Sequence, residues 1–168
     1  MTMKTFTSAS ANKYLRMLEE DKHHILSTES DTCTYVLAKD EESEPPIYDY
    51  EDVRARVDAI DEQVCKVRHA LHSFNLHTTL PDSDMTVDEA LIVMAQLNNK
   101  RRRLDALRNI MPVQREKGRY TGNLIEYKYA NFDVAKAQED FVKVTEAINE
   151  LQLQIDLCNQ TITFEVEV

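Results

Sequence analysis

Five residues with ligating or acid–base side chains, Asp58, Glu62, Cys65, His69 and His72, recur at intervals of 4, 3, 4 and 3. On a helix that spacing stacks side chains on one face, and His and Cys held this way are the ligands that zinc prefers. Cys65, His69 and His72 are therefore the metal-ligand candidates of the chain. The run lacks the paired spacing of known zinc signatures, so a solvent face or an acidic and His-rich contact with a neighbour is the preferred reading, and no metal or other cofactor is expected. His23 and His24 are adjacent and point to different sides of a helix, which argues against a shared site.

A second constellation is basic. Lys100 to Arg119 holds eight Lys and Arg residues against Asp105 and Glu116, whereas Glu19 to Glu62 holds fifteen acidic residues against four basic ones. Arg101, Arg102, Arg103, Arg108, Arg115, Lys117 and Arg119 gather where a helix ends, and cations there complement the negative helix terminus. Such a cluster pairs with the acidic stretch of the same or another chain. It could also receive a small anion such as a nucleotide, with Arg102 and Arg119 supplying forked donors and Tyr120 stacking on a base. A formal net charge of −10 opposes binding of a polyanion, so nucleic acid is not an expected partner.

Catalytic groupings are missing. With two glycines in 168 residues there is no Gly-rich phosphate loop and no glycine elbow to present a nucleophile. Ser73 sits within a heptad segment and Cys65 has no orienting acid that spacing guarantees. Glu139 and Asp140 are consecutive and face apart, and Asp82 and Asp84 fall in a turn. Tyr127 and Tyr129 read as sheet packing. No catalytic residue is assigned, and the chain reads as non-enzymatic.

The elements that carry these residues are marked by periodicity. Val53, Val57, Ile60, Val64, Val67, Leu71 and Phe74 keep one seam of a helix over residues 51–74. A second seam, Val134, Ala137, Phe141, Val144, Ile148, Leu151, Ile155 and Cys158, predicts a helix over 133–160, and the two heptad helices read as coiled-coil partners. Between them Thr86 and Glu89 form a capping box that opens a helix over 86–111, closed by Pro112. The connection from Asn75 to Met85 is long enough to reverse the chain into an antiparallel hairpin. A shorter helix over 10–27 buries Tyr14, Leu15, Leu18 and Ile25. Short strands are expected over 32–38, 123–130 and 161–168, where β-branched and aromatic residues cluster or alternate. Lys39 to Asp52, acidic and containing Pro45 and Pro46, reads as a solvated linker. The fold class is thus mainly α: a long antiparallel helical hairpin or coiled-coil bundle of three to four helices with a small β-sheet at one end, in one domain over residues 1–168.

The composition agrees, with 42% hydrophobic and 30% charged residues and a mean hydropathy of −0.50. The longest apolar run, Ala90 to Ala95, is about a third of the ~20 residues that span a bilayer, and residues 1–17 contain no apolar signal core. Cys33, Cys65 and Cys158, odd in number and far apart, read as reduced thiols, with Cys158 in the core. A cytoplasmic location without membrane attachment is expected.

The order of segments then becomes informative. An acidic Pro-containing linker precedes a heptad helix ending in Leu71, Phe74-Asn75 and Thr79-Leu80; Thr86-Val87-Asp88-Glu89-Ala90-Leu91 opens the next helix; Arg119-Tyr120 and Ile125-Glu126 follow; a last heptad helix closes near Ile155 and Asn159. This order, from about Leu15 to Thr163, resembles the septicolysin-like family of small bacterial helical proteins of unassigned function. Asn75, Arg119, Tyr120 and Asn159 match residues of that family's short motifs. His72 replaces an Asn, Met94-Ala95 stands at an Arg-Asp pair and Gln160 at a Trp. The resemblance implies a helical, cytosolic, oligomeric bacterial protein, with Asn75, Arg119, Tyr120 and Asn159 as its candidate polar residues.

Two functions are expected from these observations. The first is a non-enzymatic protein that associates with itself through its heptad seams and through the alternating strand at residues 161–168, a free edge that a symmetric copy would satisfy. The second is a protein that binds or sequesters a small anionic ligand through Asn75, Arg102, Arg119, Tyr120 and Asn159.

Overall fold

The computed structural model describes residues 2–116 and 125–168. The protein is mainly helical: β1 (Met3–Thr7), α1 (Ser8–Thr32), α2 (Tyr50–His77), α3 (Val87–Arg108), β2 (Val113–Glu116), β3 (Glu126–Tyr129), α4 (Val134–Thr161) and β4 (Thr163–Glu167). The strands form two separate antiparallel pairs, β1 with β4 and β2 with β3. The chain folds as two compact units, Met1–Thr78 with Leu157–Val168, and Thr79–Asp156.

In the first unit α1 and α2 lie antiparallel. Partners along α2 rise in number as those along α1 fall: Glu29 with Tyr48 just before α2 at 2.7 Å, Lys22 with Asp61 at 2.6 Å, and Glu19 with Arg68. The residues α1 buries, Ser8, Ala11, Leu15, Leu18 and Ile25, recur every three, four or seven positions, one stripe of a helix. They meet the α2 seam, in which Val67 and Phe74 are buried and Val53, Val57, Ile60, Val64 and Leu71 half-buried. The sequence pairs α2 with the other heptad helix; what α2 lies along in this unit is α1, which runs 25 residues rather than the short segment 10–27. The extension has a local cause at each end. Thr7 and Ser10 form a capping box, with Ser10 N–H donating to Thr7 Oγ1 at 3.2 Å. Toward the C-terminus the Thr28 and Thr32 hydroxyls donate to carbonyls four residues back, so these polar residues are satisfied inside the helix.

The β1–β4 ribbon closes this unit's core. Its register runs from Met3 opposite Glu167 to Thr7 opposite Thr163, and Thr2 and Val168 exchange hydrogen bonds of 2.8 and 3.0 Å beyond it. Period-two alternation turns Phe164, Val166 and Val168 inward, where Phe6, Ala11, Leu15, Val67 and Val166 form the buried cluster. Phe74 and Phe164 tilt against each other with centroids 5.2 Å apart. The strand at residues 161–168 is thus present as β4, but one of its edges is taken by β1 rather than left for another chain.

The strand expected over 32–38 does not form. Residues 34–38 carry no regular structure, and Val36 is 95% exposed. β-branched residues favour a strand only when a neighbouring strand and an apolar layer are there to receive them, and this segment has neither.

In the second unit α3 opens on the expected box: Glu89 N–H donates to Thr86 Oγ1 at 3.2 Å and Thr86 N–H to Glu89 Oε2 at 2.8 Å. A turn before it, closed by Leu80 N–H on the Met85 carbonyl at 2.9 Å, buries Leu80. The helix stops at Arg108, three residues before the expected end, as the chain prepares for Pro112. α4 starts where Asp133 Oδ1 accepts from Ala135 N–H and Lys136 N–H. Its buried residues, Ala137, Val144, Ile148, Ile155 and Cys158, all belong to the predicted seam. The Arg108 guanidinium ties the end of α3 to the first turns of α4, lying 3.8 Å from the Phe141 ring centroid and donating to Gln138 at 3.1 Å.

Candidate interaction surface

The residues singled out from the sequence distribute as follows. Asn75, near the end of α2, and Asn159, in the last turn of α4, are half-buried residues of the first unit. Arg102 is exposed on α3 in the second unit, with its guanidinium on Asn99 Oδ1. Arg119 and Tyr120 lie outside the described residues. Asp58, Glu62, Cys65, His69 and His72 all occupy the exposed face of α2, where Glu62 is engaged by Lys66 at 2.8 Å. Among the described residues no three His, Cys, Asp or Glu side chains converge on a point that would hold a metal ion.

One cleft of about 320 Å³ opens in the first unit between the end of α1 and the start of α2, lined by His24, Glu29, Tyr48, Asp52 and Arg56 among others. Its charged groups are turned to one another. Arg56 pairs with Asp52 at 3.6 Å, and the Tyr48 hydroxyl donates to Glu29 Oε1 at 2.7 Å. That hydrogen bond, with desolvation and the Glu29 charge adding to it, pushes the Tyr48 phenol up to about 12. A phenol held protonated in this way fastens the segment before α2 to α1. Asp49, next along the chain, caps α2 by accepting from Glu51 N–H and Asp52 N–H.

A different surface shows no such internal partners among the described residues. The β2–β3 ribbon pairs Val113 with Tyr129, Gln114 with Lys128, Arg115 with Tyr127 and Glu116 with Glu126. Opposed residues share a face, so Val113, Arg115, Tyr127 and Tyr129 lie on one side and Gln114, Glu116, Glu126 and Lys128 on the other. The Tyr127 and Tyr129 rings are 6.5 Å apart, as same-side neighbours should be. The ribbon is amphipathic, yet every one of its residues is exposed, Tyr129 at 67% and the flanking Ile125 at 59%. An isolated two-stranded ribbon is marginal in water, and one with a bare aromatic face lacks the layer that its pattern implies.

α4 repeats the theme. Its buried seam occupies one side, and Val142, Leu153 and Leu157, which fall on the opposite side at helical spacing, are exposed, Leu153 at 71%. The sequence showed half of the ribbon, through the alternation of Ile125, Tyr127 and Tyr129. It did not show β2, whose four residues after Pro112 are too short a run to register as a strand.

No family model matches the chain, and no curated protein matches it. Among solved structures, the fold is similar to the crystal structure of a functionally unknown conserved protein from Corynebacterium diphtheriae, with a TM-score of 0.62 and 16% identity over 98% of this chain and 100% of that one. At that identity the likeness concerns the fold alone.

Proposed function

We propose that this chain is a non-enzymatic helical interaction protein that works as a homo-oligomer in the bacterial cytosol, the setting implied by its resemblance to the septicolysin-like family. The observation behind the proposal is the grouping of exposed apolar side chains. Large exposed apolar residues scattered singly are ordinary, but Val113, Ile125, Tyr127 and Tyr129 share one ribbon, and Val142, Leu153 and Leu157 share one helix face. Each group sits opposite a face already committed, to polar residues in the ribbon and to the core in α4. Surfaces of this pattern are kept for association, and a symmetric copy is the simplest partner that every cell making the chain contains.

Native mass spectrometry of the full chain, purified without added ligand, tests this reading. A multiple of the 19.5 kDa subunit mass is expected. A monomer at all concentrations would overturn it, and a reproducible extra small-molecule mass on that monomer would favour the anionic-ligand function instead.

A further inference from the structure

We infer that two copies of this chain join through the free edge of β3, in an antiparallel pairing centred on Tyr127, to make one continuous four-stranded sheet. The inference rests on the self-association proposed above and names the surface that carries it.

The backbone geometry fixes which residues can pair. Ala130 N–H donates to the Pro112 carbonyl at 3.0 Å, so these two oppose each other in the same register as Val113 and Tyr129. In an antiparallel ladder, hydrogen-bonded and non-hydrogen-bonded pairs alternate. Lys128 and Glu126 therefore turn their N–H and C=O groups toward β2, and Tyr129, Tyr127 and Ile125 turn theirs outward to the edge that no strand among the described residues occupies. A second strand can be received only at those three positions. For two identical strands related by a two-fold axis, the axis can sit on Tyr127, which then forms a hydrogen-bonded pair with the partner's Tyr127.

The side chains agree with that register independently. Centring on Tyr127 sets Glu126 opposite the partner's Lys128 and Lys128 opposite the partner's Glu126, opposite charges in both places by symmetry. It sets Ile125 opposite the partner's Tyr129 on the aromatic face. Charges thus meet charges on the polar side and apolar residues meet apolar ones on the other. Moving the axis one residue to Lys128 would draw its hydrogen bonds from the outward groups of Tyr127 and Tyr129, but would set lysine against the partner's lysine at the closely spaced centre of the ladder. The β2 edge offers no equivalent solution, because centring Val113–Glu116 on Arg115 sets arginine against arginine. The pairing also supplies what the ribbon lacks, since sheets of three or more strands with a shared apolar face are stable where two-stranded ribbons are marginal.

The test is a charge exchange across the axis, read by sedimentation or native mass spectrometry of the full chain. Glu126→Lys alone and Lys128→Glu alone each set like charges opposite one another twice, and each should weaken dimerisation by about tenfold or more. The double variant Glu126→Lys/Lys128→Glu restores opposite charges and should recover wild-type affinity, which also shows that the single variants were not simply misfolded. Single variants that associate as tightly as the wild type would overturn the β3 edge while leaving self-association standing. Weakened single variants without recovery in the double would overturn the register. A wild-type chain that is monomeric throughout would overturn both the edge and the function proposed above.

Discussion

Tyr48, two residues before α2, hydrogen-bonds to Glu29 near the end of α1 at 2.7 Å, and this bond spans a connection of acidic and proline-containing sequence that has almost no other regular structure. It closes the open end of the α1–α2 pair, as the β1–β4 ribbon closes the other. The hydrogen bond requires the phenol proton, and Tyr48 is held up at about 12 against an ordinary tyrosine near 10. A group whose folded value is raised contributes stability that is complete below its unfolded value and is lost as pH rises through the folded one. The Tyr48 contribution should therefore be constant up to about pH 10 and disappear between about pH 10 and 12. Thermal melts of wild type and Tyr48→Phe should differ at pH 8 and converge at the top of that window. Equal separation of the two curves at both ends would show that the hydroxyl does not carry the tie.

The start of α3 gives a prediction of opposite sign. Glu89 is held below the usual carboxylate range, first by the Thr86 backbone N–H and then by the Thr86 hydroxyl. A lowered folded value means stability that is present above the unfolded pKa and lost as pH falls through the folded one. The contribution of Glu89 should fade below about pH 4.3. Thr86→Ala removes the reciprocal half of the box and should cost about 1 kcal/mol at neutral pH in chemical denaturation. A cost indistinguishable from zero would mean that the cap is redundant with the buried packing of Val87 and Ala90 behind it.

Thiol chemistry separates the three cysteines. Cys33 and Cys65 are exposed, whereas Cys158 is buried in the last turns of α4 and burial pushes its thiol up. The thiolate is the reactive form, so Cys158 is disfavoured by both access and ionisation. Titration of the native protein with a chromogenic disulfide should show two fast thiols, with the third appearing only on unfolding. Three equally fast thiols would contradict the seat of Cys158 in the α4 seam.

The parts of the fold that were legible in the sequence are those where a period repeats long enough to average out local noise. The α4 seam was read residue by residue, from Ala137 to Cys158, and the α3 cap at Thr86 was read from its first residue because Glu89 is specific chemistry at a fixed spacing. What was not legible depended on partners distant in sequence. Met3–Thr7 is a strand because Thr163–Glu167 is there to pair with it, and Thr32–Ala38, with better strand residues, is not one because nothing is. The partner of the α2 seam was unreadable for the same reason: a heptad says that a helix needs a neighbour without saying which. Among the candidate site residues, Asn75, Arg102 and Asn159 stand out by side-chain chemistry and resemblance, and neither carries information on burial or on the unit to which a residue belongs. The alternation around Tyr127 and Tyr129 points to sheet packing; they are in a sheet, but the layer they would pack on is not in their ribbon.

The distinction between buried and exposed positions on α4 sets the last prediction. Ile148 and Leu153 are both aliphatic residues of one helix, five positions apart, so they fall on different sides of it. Ile148 is 7% exposed and Leu153 71%. Placing a carboxylate at Ile148 buries a charge with no partner provided and should cost several kcal/mol, enough to unfold a domain of ordinary stability. Leu153→Asp removes exposed apolar surface, and should leave the chemical-denaturation midpoint of the dissociated chain within about 0.5 kcal/mol of wild type. If α4 takes part in association, Leu153→Asp should weaken the oligomer at unchanged subunit stability. If the β3 edge alone carries it, oligomer affinity should be unchanged while the Glu126 and Lys128 variants still weaken it. Loss of stability in Leu153→Asp comparable to that of Ile148→Asp would show that the exposed side of α4 is covered within the subunit, and would remove this helix from the association surface.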